Sequence, residues 1–229
     1  VRRVAEQLRH DGVKSVAVCL LHSYINSSHE KRVGEILGEV FPGSIVSLSS
    51  EVAPEFREYS RASTTVINAC IRPIVASYLQ RIADRLRKKE IFAELLVMQS
   101  SGGVFTFAMA SEKPVFMVES GPAAGVIGAT YLGKTLDQPD VISFDMGGTT
   151  AKASLIEKSN LSFAEEYEVG GGMSSKSALG GGGGYALKLP VIDISEVGAG
   201  GGSIAWLDKA GSLKIGPESA GAKPGPVCY

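Results

Sequence analysis

The chain has few cysteines, few aromatic residues and almost no excess charge, and each scarcity closes a route. Cys19, Cys70 and Cys228 are odd in number and far apart. None has a Cys-x-x-Cys partner, which fits a reducing, cytoplasmic setting better than a disulfide scaffold. Lysine and arginine total 23 against 24 acidic residues, a formal net charge of −1. With no surplus of cations to displace counterions, nucleic acid is not expected as the main partner. No apolar run reaches membrane-spanning length and no signal peptide opens the chain, so no membrane partner is expected either. Only His22 and His29 share a loop, and they lack the further ligands that zinc requires. What remains is 44% apolar and 21% charged over 229 residues, a globular composition able to bury a sizeable core.

The most informative stretch runs from Val141 to Glu157. An apolar run, Val141 to Phe144, ends on Asp145; Gly147 and Gly148 follow, then Thr149 and Thr150, then the alternating run Ala151 to Ile156. The period-2 runs read as strands and the Gly-Gly-Thr between them as a tight hairpin turn. Glycines there let backbone N–H groups come close to an anion, which a Cβ would block. Asp145 supplies a carboxylate suited to holding Mg²⁺ through water or orienting an attacking water. The pattern is a physically sensible phosphate-binding hairpin; an ordinary hairpin with an Asp-and-Gly turn is the competing reading.

Just upstream, Ser120-Gly121-Pro122 is a turn leading into a helix of small residues, with Pro122 suited to the first helical position and Ser120 to the cap. Ala123, Ala124, Gly125 and Gly128 would let another helix or backbone pack very close. This order of helix, short linker and Asp-Gly-Gly-Thr hairpin resembles the actin-like ATPase (ribonuclease H-like) fold. Six phrases then carry a narrower resemblance: 17–24 (AVCLLHSY), 48–51 (LSSE), 97–104 (VMQSSGGV), 120–125 (SGPAAG), 145–149 (DMGGT) and 197–205 (VGAGGGSIA). Their order and spacing are similar to the hydantoinase A / 5-oxoprolinase family from end to end.

The resemblance implies a partial α/β, two-lobed actin-like architecture. The remainder of the first lobe would occupy residues 1–137 and the start of the second 138–229. It implies ATP and Mg²⁺ as cofactors, a small cyclic amide as substrate, a hydantoinase B-type subunit as partner, and an oligomer. Asp145 would hold Mg²⁺ and water, and Gly147, Gly148, Thr149 and Thr150 would contact phosphate. Gly121 and Ala124 would serve in the lobe-crossing helix. Relatives also include ATP-using subunits of acetone and acetophenone carboxylases, and a non-catalytic nucleotide-binding scaffold is a further reading. One departure stands out: many relatives read Asp-Met-Gly-Gly-Thr-Ser-Thr-Asp, whereas the last acid is Lys152 here. Val1 opens in the middle of an amphipathic pattern without an initiator Met, so the chain is expected to be an excerpt. The first phosphate hairpin would then lie upstream, and the fragment alone would not hydrolyse ATP.

The rest of the chain alternates strands and helices. Helices are expected over 1–11, 30–40 and 61–90, the last kinked or split at Pro73, with strands over 15–21, 44–48 and 94–98. Residues 49–59 form an acidic connector, either substrate-facing or simply solvated. Gln99 and Ser100 stand at a Ser-Ser-Gly-Gly turn able to hold an anion or carbonyl, with a plain β-turn as the alternative. Residues 114–118 are expected extended, and 161–169 and 187–194 as strands. Gly170 to Tyr185 has eight glycines in sixteen positions and reads as a lid or hairpin-tip insertion, with Lys176 within possible reach of phosphate. Gly200 and Gly201 belong to a second glycine turn, suited to close approach to a nucleotide or to the first hairpin. Residues 204–215 read as a hairpin.

Overall fold

Alternation of apolar strand runs with amphipathic helices places this chain among α/β proteins, and the computed structural model has that architecture. It describes residues 1–164, 166–169, 184–221, 223, 225 and 226. The elements are α1 (Arg2–His10), β1 (Ser15–Val18), α2 (Ser28–Val40), β2 (Ile45–Leu48), α3 (Ser49–Val52), α4 (Glu58–Lys88), β3 (Leu96–Met98), β4 (Val104–Thr106) and α5 (Phe107–Glu112). A 3₁₀ turn (Pro114–Met117) follows, then α6 (Ser120–Thr135), β5 (Val141–Met146), β6 (Ala151–Glu157), β7 (Asn160–Leu161), β8 (Phe163–Ala164), β9 (Tyr167–Val169), β10 (Tyr185–Leu187), β11 (Val191–Ile192), β12 (Ser195–Val197), β13 (Ser203–Leu207) and β14 (Leu213–Ser219). The Gly-rich stretch 170–183, including Lys176, lies outside the described residues, as does Cys228. No helix among the described residues is long and apolar enough to cross a membrane.

Two compact units divide the chain between Ser120 and Gly121, with residues 166–169 and Tyr185–Pro190 returning to the first. The contact division falls ahead of most of α6.

In the first unit β1 and β2 pair in parallel, Ser15 opposite Ile45 through Val18 opposite Leu48. Alternation sorts their side chains. Val16, Val18, Val46 and Leu48 pack with Ala5 of α1 and Val33 and Leu37 of α2. Ser15 and Ser47 instead serve α4: the Ser15 hydroxyl donates to the Ala69 carbonyl (2.7 Å) and Asn68 Nδ2 donates to Ser47 Oγ (3.1 Å). Helices thus cover both faces, as continuous apolar strands require. The helix α4 runs unsplit through Pro73. A proline removes one backbone hydrogen bond, and the buried residues Thr64, Thr65, Asn68 and Ala69 before it and Leu79 after it anchor both halves. Leu79, Phe105 and Ala110 form a second core over the β3–β4 hairpin. Residues 114–117 are 3₁₀ rather than extended. Pro114 suits a first helical position, and Phe116 N donates back to Lys113 O (3.2 Å) while Pro114 and Val115 are buried. The β9–β10 pair belongs to this unit, where Lys188 N donates to Thr64 Oγ1 (2.8 Å).

The second unit is built on α6 and a sheet in the order β12-β6-β5, all antiparallel. Ala123, Val126, Thr130 and Gly133, spaced three and four apart, form the buried stripe of α6. Ala123 and Val126 meet Ile156 and Ile192, with Val141, Leu161 and Ile194 around them. A Cβ on Gly133 would fall 2.7 Å from Gln138 O, so glycine is what lets the chain turn from α6 into β5. Helix α6 starts at Ser120 itself, which is helical rather than a cap. The expected strand 161–169 is three short ones and 187–194 is two, because the segments change partners: β8 pairs with β11 and β9 with β10. Pro190, which lacks an N–H, sits at the change. β13 and β14 form the expected hairpin.

Candidate functional site

Antiparallel pairing sets Asp145 opposite Lys152 and Met146 opposite Ala151, leaving Gly147 to Thr150 to reverse the chain. Gly147 N donates to Thr150 O (2.9 Å) and closes the bend. A second bend, Gly198 to Gly202, leads from β12 to β13 and lies against the first. Gly201 N donates to Gly147 O (2.9 Å) and Gly202 N to Gly148 O (2.7 Å). Gly200 N is turned back onto Ser203 Oγ (2.8 Å). A Cβ on Gly200 would stand 2.6 Å from Gly147 O, 2.7 Å from Thr150 N and 2.8 Å from Gly148 C. No side chain fits there. The two glycine bends are one stacked backbone structure.

That stacking meets one of the two expectations for the second glycine turn, approach to the first hairpin. Gly200 and Gly201 support the hairpin, with the Gly201 amide donating to Gly147 O. Gly147 also spends its own amide inside the bend. Among the described residues, the amides of Gly148 and Thr149 donate to no backbone carbonyl. Asp145 and Thr149 are exposed, and Thr150 is half-buried.

Three charged side chains stand in register across the sheet: Asp145 on β5, Lys152 on β6 and Glu196 on β12. Lys152 Nζ lies 3.7 Å from Glu196 Oε2. Asp145 and Lys152 both line a cavity of about 250 Å³, walled by Pro122, Gly125, Val126 and Ala129 of α6. Glu196 had no signal in the sequence, because nothing local says which strand will lie beside β6.

The other expected residues fall differently. Gly121 is exposed, with nothing within 4 Å of where a Cβ would stand, and Ala124 is half-buried. Gly125 and Gly128 are equally open, so the close packing expected along α6 occurs at Gly133 instead. Ser100 is 2% exposed. Its amide donates to Phe116 O (2.8 Å) and its hydroxyl is held between the carbonyls of Phe116 and Val118. Gln99 N closes the turn onto Gly103 O (2.7 Å) and its Oε1 accepts from Ser101 Oγ (3.4 Å). Both residues serve a plain hairpin turn, so Ser100 in particular has no donor left for substrate.

Sequence reasoning also missed a buried polar network at the C-terminal ends of β1 and β2. Glu30 and Arg61, both 0% exposed, meet through Ser49: its hydroxyl donates to Glu30 Oε1 (2.7 Å) and accepts from Arg61 Nε (3.1 Å). Arg61 also donates to the carbonyls of Glu55 and Leu20, each at 2.8 Å. Burial works to raise the Glu30 carboxyl. The Ser49 hydroxyl and the amides of Ser50 and Leu20 together outweigh it and hold the pKa below its ordinary value. The network pins the loops that follow both strands.

Chemically, the bend suits a phosphate tail. Mg²⁺ keeps several waters and takes one or two carboxylates beside phosphate oxygens, rather than a full protein cage. Among the described residues no three His, Cys, Asp or Glu side chains gather to hold a metal unaided. The exposed Asp145 meets the smaller requirement, and the Gly148 and Thr149 amides provide donors beside it. The residues present fit a metal-bound phosphate.

The chain is 46% identical, over its whole length, to an uncharacterized protein of Methanocaldococcus jannaschii, spanning 34% of that protein. It is 37% identical, again over its whole length, to a 5-oxoprolinase of Saccharomyces cerevisiae, spanning 16% of it. The crystal structure of an ATP-dependent caprolactamase from Pseudomonas jessenii superposes with a TM-score of 0.74 at 34% identity, covering 99% of this chain and 31% of that one. The chain thus spans only a minor part of the length of each of these relatives. The hydantoinase/oxoprolinase N-terminal region model matches residues 1–41. With the hydantoinase/oxoprolinase model matching residues 61–229, the chain belongs to the hydantoinase/oxoprolinase family.

Proposed function

We propose that the protein containing this chain is an ATP-dependent enzyme that opens a small cyclic amide, and that the Gly147–Thr150 bend holds the phosphate tail of its nucleotide. The observation that carries this reading is the stacked pair of glycine bends, which spends backbone on bracing a loop while leaving Asp145 exposed and, among the described residues, the Gly148 and Thr149 amides bonded to no backbone carbonyl. Bound ATP would supply a phosphoryl group to the ring carbonyl oxygen, making a poor electrophile ready for water. Asp145 would hold Mg²⁺ and orient water at the strand end. Gly148 and Thr149 would donate their amides to phosphate oxygens, fixed in place before the ligand arrives because the second bend braces the first. The small-residue start of α6, with Gly121 and Ala124, would lie alongside in an actin-like two-lobed fold, a reading in keeping with the α/β elements and their order. The family relationship supports a cyclic amide of the 5-oxoproline or caprolactam kind, and a hydantoinase B-type subunit as partner in the assembly.

ADP release by the full-length protein tests the proposal, with 5-oxoproline, a hydantoin or caprolactam offered in turn. Release that depends on one of these rings is the expected result. Release that depends instead on a ketone with bicarbonate would replace the amide by a carboxylation substrate, and tight ATP binding without turnover would leave only a scaffold.

A further inference from the structure

Lys152 is the cation set into the charged row beside the bend. Its β6 position places it between two carboxylates, Asp145 on one neighbouring strand and Glu196 on the other. Its side chain is 14% exposed, so the stem is buried against the sheet while the ammonium stays 3.7 Å from Glu196 Oε2. The same lysine lines the cavity that Asp145 lines. Were this position apolar, the row would present two unbalanced acids to any incoming anion, and a phosphate tail would approach only behind a metal ion. The lysine cancels one of those charges with a point charge on a flexible stem, the kind of group that binds phosphate without strict geometry.

We propose that Lys152, whose ammonium stands beside Glu196, is a phosphate-binding residue of this site, and that it lets the site bind the terminal phosphate of a nucleoside triphosphate with less dependence on Mg²⁺. The proposal rests on the phosphate reading of the bend and assigns a charge role that the bend's backbone cannot provide. A lysine that merely neutralised the row for the sake of folding would affect ATP binding equally with and without metal.

Calorimetric titration of ATP into the full-length protein, once with excess EDTA and once with excess Mg²⁺, separates these cases. Lys152→Met is expected to weaken ATP at least about 10-fold in EDTA but less than about 3-fold in Mg²⁺, while Lys152→Arg retains most of the metal-free affinity. Glu196→Gln, which removes a carboxylate that competes with phosphate for the lysine, is expected to strengthen metal-free binding; it serves as the second probe if Lys152→Met does not fold. Equal losses in both conditions, no loss at all, or weaker metal-free binding by Glu196→Gln would each overturn the role of Lys152 while leaving the bend's role standing. A wild-type protein that binds ATP in neither condition would overturn both.

Discussion

Gly200 lies so close to Gly147 that a single added methyl would stand 2.6 Å from the Gly147 carbonyl oxygen. The bend that carries the proposed chemistry is therefore shaped from behind, by a loop far along the chain. Gly200→Ala should displace that loop, because the atoms it meets are backbone and cannot rotate away. Overpacking of this kind costs about 1–3 kcal/mol, and nucleotide affinity in the full-length protein should fall by at least about 10-fold, the equivalent of about 1.4 kcal/mol. A variant that melts like wild type and binds ATP normally would show that the stacking is dispensable.

The opposite outcome is expected at Gly128, in the interior of α6, where a Cβ would meet nothing within 4 Å. Replacing an exposed helical glycine by alanine removes unfolded-state entropy, so Gly128→Ala should stabilise by roughly 0.5–1 kcal/mol. Chemical denaturation reads this directly. A loss of stability would mean that the open face of α6 is covered in solution.

Asp145→Asn should keep the fold, since the side chain is exposed at a strand end. It should nevertheless lower ATP turnover of the full-length protein by at least about 100-fold, the scale on which preorganised charge acts in such sites. Turnover near the wild-type level would remove Asp145 from the metal role.

Arg61→Met should be among the most damaging single changes in the first unit. It leaves Ser49 Oγ and the Glu55 and Leu20 carbonyls without their buried donor, and each such loss costs about 1–3 kcal/mol. Glu30 also gives a pH signature. Its folded pKa lies below the ordinary 4.5, so its contribution is complete above that value and is lost as pH falls through the folded pKa. Denaturation midpoints followed downward from about pH 6 should therefore fall more steeply for wild type than for Glu30→Gln. Parallel curves would contradict this.

Thr64→Val should destabilise by about 1–3 kcal/mol, because the Lys188 amide then loses the hydroxyl that accepts it at 2.8 Å. Thr64→Ser, which keeps the acceptor, should recover most of the loss. If both variants melt alike, the hydrogen bond is not what holds Tyr185–Pro190 to α4.

Where a signal is local, it is legible. The runs around β1, β2 and β5–β6 carry their strand character in period and apolarity, and Asp145-Met-Gly-Gly-Thr announces a tight bend because few other residues allow one. The helix α4 is legible too, and of the kink or split that Pro73 points to, the split does not occur; buried anchors on both sides outweigh one missing hydrogen bond. Ser100 misleads for a related reason. A Ser-Ser-Gly-Gly turn looks the same whether its donors face a ligand or its own neighbours, and only the position of Phe116 and Val118 decides which.

By itself, the sequence determined the alternation of strands and helices, the acid at the end of β5, the glycines that make the bend possible, and the family. Those properties depend on side-chain volume, charge and backbone freedom at adjacent positions. Tertiary structure alone decided that Gly200 braces Gly147, that Lys152 stands between Asp145 and Glu196, and that Ser49 joins Glu30 to Arg61. Each of these joins residues that adjacent positions in the chain do not specify, because which strands lie side by side is a condition no local stretch can express.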